Sequence, residues 1–326
     1  MVKKIFSYKK AAIIYNPQAG AGIQLSPLFL KLVGIRKLGQ ETFSSKQASI
    51  EKVKEYLSKY GIDAQILATQ HAGHATTLAK DLANRSYDLV VAAGGDGTIN
   101  EVINGIATSN TVLGIIPLGT ANVLAMELNI PIEIDAACQL IASGNSSLVD
   151  LGQANGRYFA CMVGIGFDAH VLNRADSKLK RIMGILSYPM IVLWELMSYR
   201  FRLICLKIDD SDEIKRGYYV IVGNSKYYAG ETMITHLADM KDGYLDVCIF
   251  KHKSIFHILA YIFSIWSKNI DKNMGVEYLQ CKKISVLKKG KHAIHVDAEY
   301  LCNSSAAIQI CPKALLVVEG TLASGK

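Results

Sequence analysis

The stretch VVAAGGDGTINEVING, residues 90–105, constrains the fold more than any other part of the chain. An apolar run passes directly into closely spaced glycines around one acid, and then into a pattern with apolar residues at helical spacing. The same alternation of strand and helix patterns runs through the first 145 residues. Because a helix between two such strands makes a parallel crossover, residues 1–145 are predicted to form a doubly wound α/β domain.

The pattern changes after residue 145. Short apolar runs separated by turns, such as FACMVGIG, GYYVIVGN and YLDVCIF, are typical of an antiparallel β-sandwich. Two apolar helical segments, near residues 178–199 and 254–267, interrupt these runs. Residues 146–326 are therefore predicted to form a second, β-rich domain with apolar helices. Whether the extreme C-terminus packs back on the first domain stays open.

The glycine-rich segment lies where a doubly wound domain binds ligands, at the carboxyl end of a strand. Gly94, Gly95 and Gly97 would let backbone N–H groups and a helix N-terminus face a phosphate. Asp96 suits such a place if a cation bridges it to the phosphates, or if it orients a hydroxyl group. The alternative is a tight turn in which Asp96 is a helix cap.

Two other predicted strands end in similar loops, YNPQAGAG at residues 15–22 and PLGTAN at residues 117–122. Three such loops at one sheet edge indicate a nucleotide-binding domain. None is a Walker A loop or a GxGxxG loop. The segment GIGFDA, residues 164–169, fits GxGxxA but is not followed by a second strand that ends in an acid, so a dinucleotide site there is not favoured.

The charge of the chain indicates the class of partner. A formal charge of +8 and a pI near 9.0 favour anionic partners such as nucleotide phosphates or an anionic membrane surface. No nucleic-acid-binding module is recognisable. Seven cysteines without CxxC spacing indicate reduced thiols, and the longest apolar stretch contains a proline and a glutamate and is too short to span a bilayer. The expected location is cytoplasmic, with peripheral contact to an anionic membrane.

The motifs NPQAG, GGDGTINEVING, PLGTANVLA, GIGFDA and DGYLDV, in this order, closely resemble the diacylglycerol kinase catalytic family, which includes bacterial lipid kinases, sphingosine kinases and ceramide kinases. The resemblance implies an ATP- and Mg²⁺-dependent lipid kinase. Such an enzyme transfers the γ-phosphate of ATP to a hydroxyl group of a membrane lipid. Whether this lipid is a diacylglycerol, a sphingoid base or a phosphatidylglycerol-like lipid stays open.

The resemblance also implies the residues of the site. ATP would contact the loops after the strands, at Asn16, Pro17, Gln18, Ala19, Gly20, Thr69, Gly94, Gly95, Asp96, Gly97, Thr98, Ile99, Asn100 and Thr120. A metal site would lie at Asp239, Asp242 and Tyr244, and Asp168 is a candidate for the substrate cleft.

The catalytic acids of the family lie in a late D-G-E segment, which HVDAEY matches here with alanine in place of glycine. If this segment is one continuous strand, His295, Asp297 and Glu299 lie on the same face. The predicted roles are Glu299 as general base, Asp297 as its support and Asp96 as holder of Mg²⁺ or of the acceptor hydroxyl. If the glycine position requires a positive φ, Ala298 costs about 1 kcal/mol or more.

Two apolar segments bear on the acceptor. The segment at residues 177–202 has basic ends, which suit either a helix at an anionic bilayer surface or a buried helix. The aromatic stripe at residues 254–269 is more typical of a hydrophobic core than of a lipid pocket. Two alternatives to a lipid kinase stay open: a soluble-substrate kinase of the NAD kinase type, and a catalytically weak lipid-binding protein on a kinase scaffold. A homodimer is also left open.

Overall fold

The computed structural model describes residues 8–17, 43–166, 201–287 and 292–321. These residues form two compact units. Residues 8–17, 43–151 and 312–321 belong to the first unit, and residues 152–166, 201–287 and 292–311 belong to the second. The last described residues of the chain therefore group with the first unit.

The first unit alternates strands and helices, as the sequence predicts. Its elements are β1 Ala11–Tyr15, α1 Phe43–Lys59, β2 Ala64–Ala68, α2 His74–Asn84, β3 Leu89–Gly94, α3 Asp96–Ile106, β4 Val112–Pro117, α4 Val123–Glu127 and α5 Ile134–Ala142. The apolar spacing indicates the elements from β1 to α4 individually, but not helix α5. Strands β5 Ser146–Ala154 and β18 Ala307–Val318 each begin in one unit and end in the other.

The strands of the first unit are parallel and follow the order β2-β1-β3-β4, with the end of β18 pairing with β4. Every residue of β3 and β4 is buried. Helices on such a sheet cover its apolar strands, and Ile99, Val102 and Ile103 of α3 are almost completely buried. The predicted doubly wound domain is confirmed.

The second unit consists mainly of antiparallel strands. Its elements are β6 Arg157–Phe159, β7 Met162–Ile165, β8 Ile204–Ile208, β9 Ile214–Gly217, β10 Tyr219–Gly223, β11 Tyr227–Ala229, β12 Thr232–Met233, β13 Leu245–Phe250, α6 Ile255–Trp266, β14 Val276–Cys281, β15 Lys283–Val286, β16 Ile294–Val296 and β17 Glu299–Cys302. One sheet has the order β14-β13-β10-β7-β16-β17. In the other, the start of β18 pairs with β15, β15 pairs with β8, and β8 pairs with β9.

The core of the second unit lies between these two sheets. Val220 and Val222 of β10 pack in one cluster with Leu206 of β8 and Ile284 of β15. Because successive strand residues point to opposite faces, Ile221 of β10 lies in a second cluster, with Phe250 of β13 and residues of α6. The predicted β-sandwich with an apolar helix is confirmed.

The structure corrects the interpretation of the stripe at residues 254–269 as core. Helix α6 forms there, but only Tyr261 among its aromatic side chains is buried. Phe256, Phe263 and Trp266 are 79%, 64% and 80% exposed. The apolar segment at residues 178–199 lies outside the described residues. None of the described helices is both long and apolar enough to cross a bilayer.

Candidate functional site

The carboxyl ends of β1 to β4 lie side by side at one edge of the parallel sheet. The register pairs Tyr15 with both Ala68 and Ala93, and Gly94 with Pro117. This edge therefore brings together the loops that begin at Asn16, Thr69, Gly95 and Leu118. From β1 the chain continues to β2 on one side of β1 and then returns to β3 on its other side. The topological switch point therefore lies between β1 and β3, and doubly wound folds bind ligands at such a point.

The β3–α3 loop places a helix N-terminus at this switch point. Gly95 is the N-cap of α3, and the first helical hydrogen bond runs from Ile99 N to Gly95 O at 3.1 Å. The N–H groups of the first turn have no acceptor within a helix, and they carry the positive end of its dipole. Gly97 is exposed, whereas Thr98, Ile99 and Asn100 are buried, so among residues 97–100 only Gly97 is open to a ligand from solvent.

The glycines of two neighbouring loops are in direct backbone contact. A Cβ atom on Gly119 would lie 2.4 Å from the Cα atom of Gly95 and 2.7 Å from Oδ1 of Asn122. Asn122 accepts a hydrogen bond from Gly119 N at 2.9 Å and donates one to Gly119 O at 3.0 Å. Glycine is thus needed here for the approach of the two loops, a contact that sequence reasoning missed.

We expect Gly119→Ala to lower the free energy of unfolding by about 1–3 kcal/mol, because the added methyl group must push the two loops apart. Denaturant unfolding followed by circular dichroism measures this loss. Thr120→Ala is the matched control, since Thr120 is the exposed neighbour of Gly119 and its truncation should leave stability nearly unchanged. Equal stability of Gly119→Ala and the native chain would show that the loops tolerate the separation.

Asp96 connects the β3–α3 loop to helix α4. Its Oδ1 atom accepts a hydrogen bond from Val123 N at 2.7 Å, in the first turn of α4. Burial raises the pKa of the Asp96 carboxyl group, and the backbone N–H groups of Val123, Leu124 and Asn122 oppose that shift. Asp96 is therefore a cap of a neighbouring helix as well as the acid of the glycine loop.

The β2–α2 loop completes this edge. Thr69 is buried, and its N–H group donates to Tyr15 O at 2.9 Å. The HAGH segment that follows is the entry turn of α2, since Gly73 has φ 81° and α2 begins at His74. The Glu101 carboxylate accepts hydrogen bonds from Gly73 N at 2.9 Å and Ala75 N at 3.0 Å, so this acid of GGDGTINEVING stabilises the entry turn.

The prediction of one continuous strand through HVDAEY is wrong. Strand β16 ends at Val296 and β17 begins at Glu299, with Val296 paired to Glu299. Asp297 and Ala298 have φ values of 45° and 64° and form the tight turn of a β-hairpin, as in a type I′ turn. His295, Asp297 and Glu299 therefore do not lie along one strand face. His295 is buried in β16, and Ala298 N donates to its Nδ1 atom at 3.3 Å.

The Asp297 carboxylate is engaged by the β6–β7 connection. Its Oδ2 atom accepts a hydrogen bond from Ala160 N at 2.8 Å, and its Oδ1 atom accepts from Cys161 N at 3.0 Å and Met162 N at 2.8 Å. The backbone N–H group of Asp297 donates to Met162 O at 2.9 Å. These bonds hold the hairpin turn against the break between β6 and β7, a role that sequence reasoning did not assign to this acid.

Glu299 differs from Asp297 in its contacts. Its Oε2 atom pairs with Arg157 of β6 in a close ion pair at the surface of the second unit. No other hydrogen bond or ion pair to this carboxylate occurs in the described part of the chain. The side chain is partly exposed, whereas the Asp297 carboxylate is engaged by three backbone donors.

We expect Ala298→Gly to raise the free energy of unfolding by about 1 kcal/mol, because Ala298 has φ 64° and glycine adopts this conformation without steric cost. Denaturant unfolding of the two proteins measures the difference. Ala293→Gly is the control: Ala293 is a buried alanine without a positive φ, so its replacement should destabilise the protein. A loss of stability in Ala298→Gly would contradict the expectation.

The three candidate metal residues lie in the turn before β13. Asp239 Oδ1 accepts from Lys241 N at 3.0 Å, and Asp242 Oδ1 accepts from Tyr244 N at 2.8 Å. All three residues are exposed. No group of three or more histidines, cysteines or acids that could hold a metal occurs in the described ranges. Carboxylates are ligands that Mg²⁺ prefers, but Asp242 also accepts a hydrogen bond from Gln280 at its Oδ2 atom, at 3.2 Å.

Several predicted site residues cannot be placed. Gln18, Ala19, Gly20 and Asp168 lie outside the described residues, whereas Asn16 and Pro17 follow β1 at the sheet edge. Thr120 is exposed in the β4–α4 loop. The first unit thus brings together the described candidates for nucleotide binding, and the second unit holds Asp239, Asp242, Tyr244, Asp297 and Glu299.

Comparison with known proteins agrees with this geometry. Residues 39–154 match the model of the diacylglycerol kinase catalytic domain, and residues 161–319 match that of the YegS C-terminal NAD kinase beta sandwich-like domain. A diacylglycerol kinase of Staphylococcus saprophyticus is 32% identical over 297 residues, which cover 90% of this chain and 89% of that protein. A diacylglycerol kinase of Staphylococcus aureus is likewise 32% identical, over 90% of this chain and 86% of that protein.

A crystal structure of a diacylglycerol kinase from Bacillus anthracis has the same fold. It superposes with a TM-score of 0.71 over 97% of this chain and 98% of that chain, at 22% sequence identity. The two domain models, the relatives and the shared fold cover nearly the whole sequence. The chain belongs to the diacylglycerol kinase family.

Proposed function

We propose that this protein is an ATP- and Mg²⁺-dependent kinase that transfers the γ-phosphate of ATP to a hydroxyl group of a membrane lipid. The observation that carries the proposal is the arrangement at the switch point of the first unit, where four strand-end loops adjoin the N-terminus of α3. The printed names of the two staphylococcal relatives support a diacylglycerol as the acceptor. A sphingoid base and a phosphatidylglycerol-like lipid are the other acceptors to test.

The nucleotide is assigned to the first unit. The phosphates would be bound by the free N–H groups at the start of α3 and by the loops at Asn16, Thr69 and Thr120. Asp96 would hold a Mg²⁺ ion that offsets the negative charge of the phosphates. Asp96 suits this role because it is the first residue of α3, beside the loops assigned to the phosphates. Asp239, Asp242 and Tyr244 would hold a separate, structural Mg²⁺ ion in the second unit.

Glu299 is assigned as the general base. Its carboxylate would take the proton of the lipid hydroxyl while that oxygen forms a bond to the γ-phosphorus. The bond between the γ-phosphorus and the bridging oxygen breaks, and ADP leaves with the electron pair. Asp297 is reassigned from support of the base to support of the turn from which Glu299 extends, because its oxygens accept three backbone hydrogen bonds.

Transfer of labelled γ-phosphate to lipids in mixed micelles tests the proposal. We expect labelled lipid with diacylglycerol, a loss of about 100-fold or more in Asp96→Asn, and no transfer after chelation of divalent cations. Asp81→Asn is the control, since Asp81 is an exposed acid of the same unit that pairs with Arg85. Transfer that survives Asp96→Asn would overturn the role of Asp96, and phosphorylation of NAD without any lipid would favour the NAD kinase type.

The strained position of Ala298 favours a second candidate function, a catalytically weak lipid-binding protein. Its positive φ is the conformation that a glycine would adopt without strain. A large gain of lipid phosphorylation in Ala298→Gly would support this candidate. Robust turnover by the native chain would exclude it.

A further inference from the structure

Helix α6 carries an apolar face that no part of the described protein covers. Phe256, Leu259, Ile262, Phe263 and Trp266 are each more than half exposed. At 100° per residue they occupy one side of the helix. The opposite side carries Tyr261, which is 6% exposed and packs against Phe250. The helix therefore presents a second apolar side to the surroundings of the second unit.

The ends of this face are basic. Lys253 precedes α6, and Lys268 and Lys272 follow it, and all three are exposed. The helix itself contains no acid or base apart from His257. One acid, Asp271, lies in the connection after it, with its Oδ1 atom 3.2 Å from Nε2 of His236. Three lysines thus outnumber the single acid around the apolar face, and the charge is positive at both ends.

We propose that α6 is a docking surface for an anionic bilayer, into which Phe256, Phe263 and Trp266 insert while the lysines contact lipid phosphates. Aromatic side chains between basic flanks are the composition of helices that lie at a membrane interface. The inference rests on the proposed function, because a kinase that acts on a membrane lipid must reach its acceptor at a bilayer.

A second copy of the chain fits this surface less well. A helix of 12 residues is about 18 Å long, and one face of it is far smaller than the roughly 800 Å² per partner of a stable interface. In a two-fold pair with antiparallel helices, Lys253 of one copy would also lie near Lys268 and Lys272 of the other. Like charges would then oppose the contact that the apolar residues favour.

Fluorescence of Trp266 tests the insertion. The chain has two tryptophans, so Trp194→Phe leaves Trp266 as the only tryptophan. We expect its emission to shift to shorter wavelength on addition of vesicles that contain phosphatidylglycerol, and to be quenched by lipids brominated in their acyl chains. Blue-shifted emission before vesicles are added would overturn the proposal, because another segment or a second copy would already cover the face. A blue shift that depends on protein concentration would indicate a second copy, and one that does not would indicate another segment of the same chain.

Co-sedimentation with the same vesicles tests the residues. Phe256→Glu with Phe263→Glu should lower vesicle affinity by about tenfold or more, and Lys253→Glu with Lys272→Glu by about fivefold or more. Ile132→Glu, at an isoleucine in the first unit that is 58% exposed, is the matched control and should bind as the native chain does. Vesicle binding unchanged in the phenylalanine variant would overturn the proposal.

The two proposals fail in different ways. Phosphorylation of a short-chain diacylglycerol, present as monomers, requires the kinase chemistry but no bilayer. We expect the phenylalanine variant to retain this activity and to lose activity on vesicles. Vesicle binding without phosphorylation of any lipid would refute the lipid kinase function alone, and activity on vesicles that is equal in the variant and the native chain would refute the docking surface alone.

Discussion

Asp297→Ala is expected to lower the free energy of unfolding by about 3–5 kcal/mol. The carboxylate accepts hydrogen bonds from three consecutive backbone N–H groups, those of Ala160, Cys161 and Met162, all of them buried residues. Each buried donor that is left without an acceptor costs about 1–3 kcal/mol. The loss should therefore be among the larger effects of a single substitution in this chain.

Asp297→Asn should fall between the native chain and Asp297→Ala. Its remaining carbonyl oxygen can accept from Cys161 N and Met162 N, but its NH₂ group would then face Ala160 N, which is also a donor. Denaturant unfolding gives this order. Asp239→Ala is the control, because among the described residues that exposed carboxylate accepts a hydrogen bond only from Lys241 N. If both Asp297 variants are as stable as the native chain but inactive, Asp297 is a catalytic acid rather than a support of the turn.

Glu299→Gln is expected to lower kcat for lipid phosphorylation by about 10²–10⁴-fold, which is the usual contribution of a general base. Glutamine has the same shape and can still accept a hydrogen bond from Arg157, but it cannot take the proton of the acceptor hydroxyl. The free energy of unfolding should change by about 1 kcal/mol or less, because the ion pair with Arg157 is partly exposed.

The assay of labelled γ-phosphate transfer and an unfolding curve on the same preparation separate catalysis from stability. Glu231→Gln is a suitable control, since Glu231 is an exposed glutamate of the second unit. ATP affinity should be unchanged in Glu299→Gln, because the nucleotide is assigned to the loops of the first unit. A variant that retains more than about a tenth of the native kcat would place the base elsewhere.

The two units differ in how much of each could be predicted. In the first unit the spacing of apolar residues predicts each strand and helix from β1 to α4, because a buried parallel strand reads as a continuous apolar run. The loops at Asn16, Gly95 and Thr120 could then be assigned to one sheet edge, since all parallel strands end there. The role of Glu101 at the entry turn of α2 could not be predicted, because the sequence does not show which distant N–H groups a side chain will bind.

The hairpin at Asp297 and Ala298 shows why local patterns fail in the second unit. The turn lacks the Asn-Gly or Asp-Gly pair that normally announces a two-residue hairpin, and the apolar alternation of AIHVDAEY reads as one strand. The backbone bends because Asp297 binds the N–H groups of residues 160–162, which are more than a hundred residues away in sequence. That bond exists only once the strands of the sheet are assembled.

The sequence by itself determined the fold class, the family and the candidate acids, because hydrophobic periodicity and short glycine motifs are local properties of a chain. Only the tertiary structure decided what holds each acid: the Asp297 carboxylate accepts three backbone hydrogen bonds, Glu299 pairs with Arg157, and Asp96 caps α4. It also decided that one side of α6 is exposed rather than part of the core. The physical reason is that burial and hydrogen-bond partners depend on contacts between segments distant in sequence, and periodicity carries no information about them.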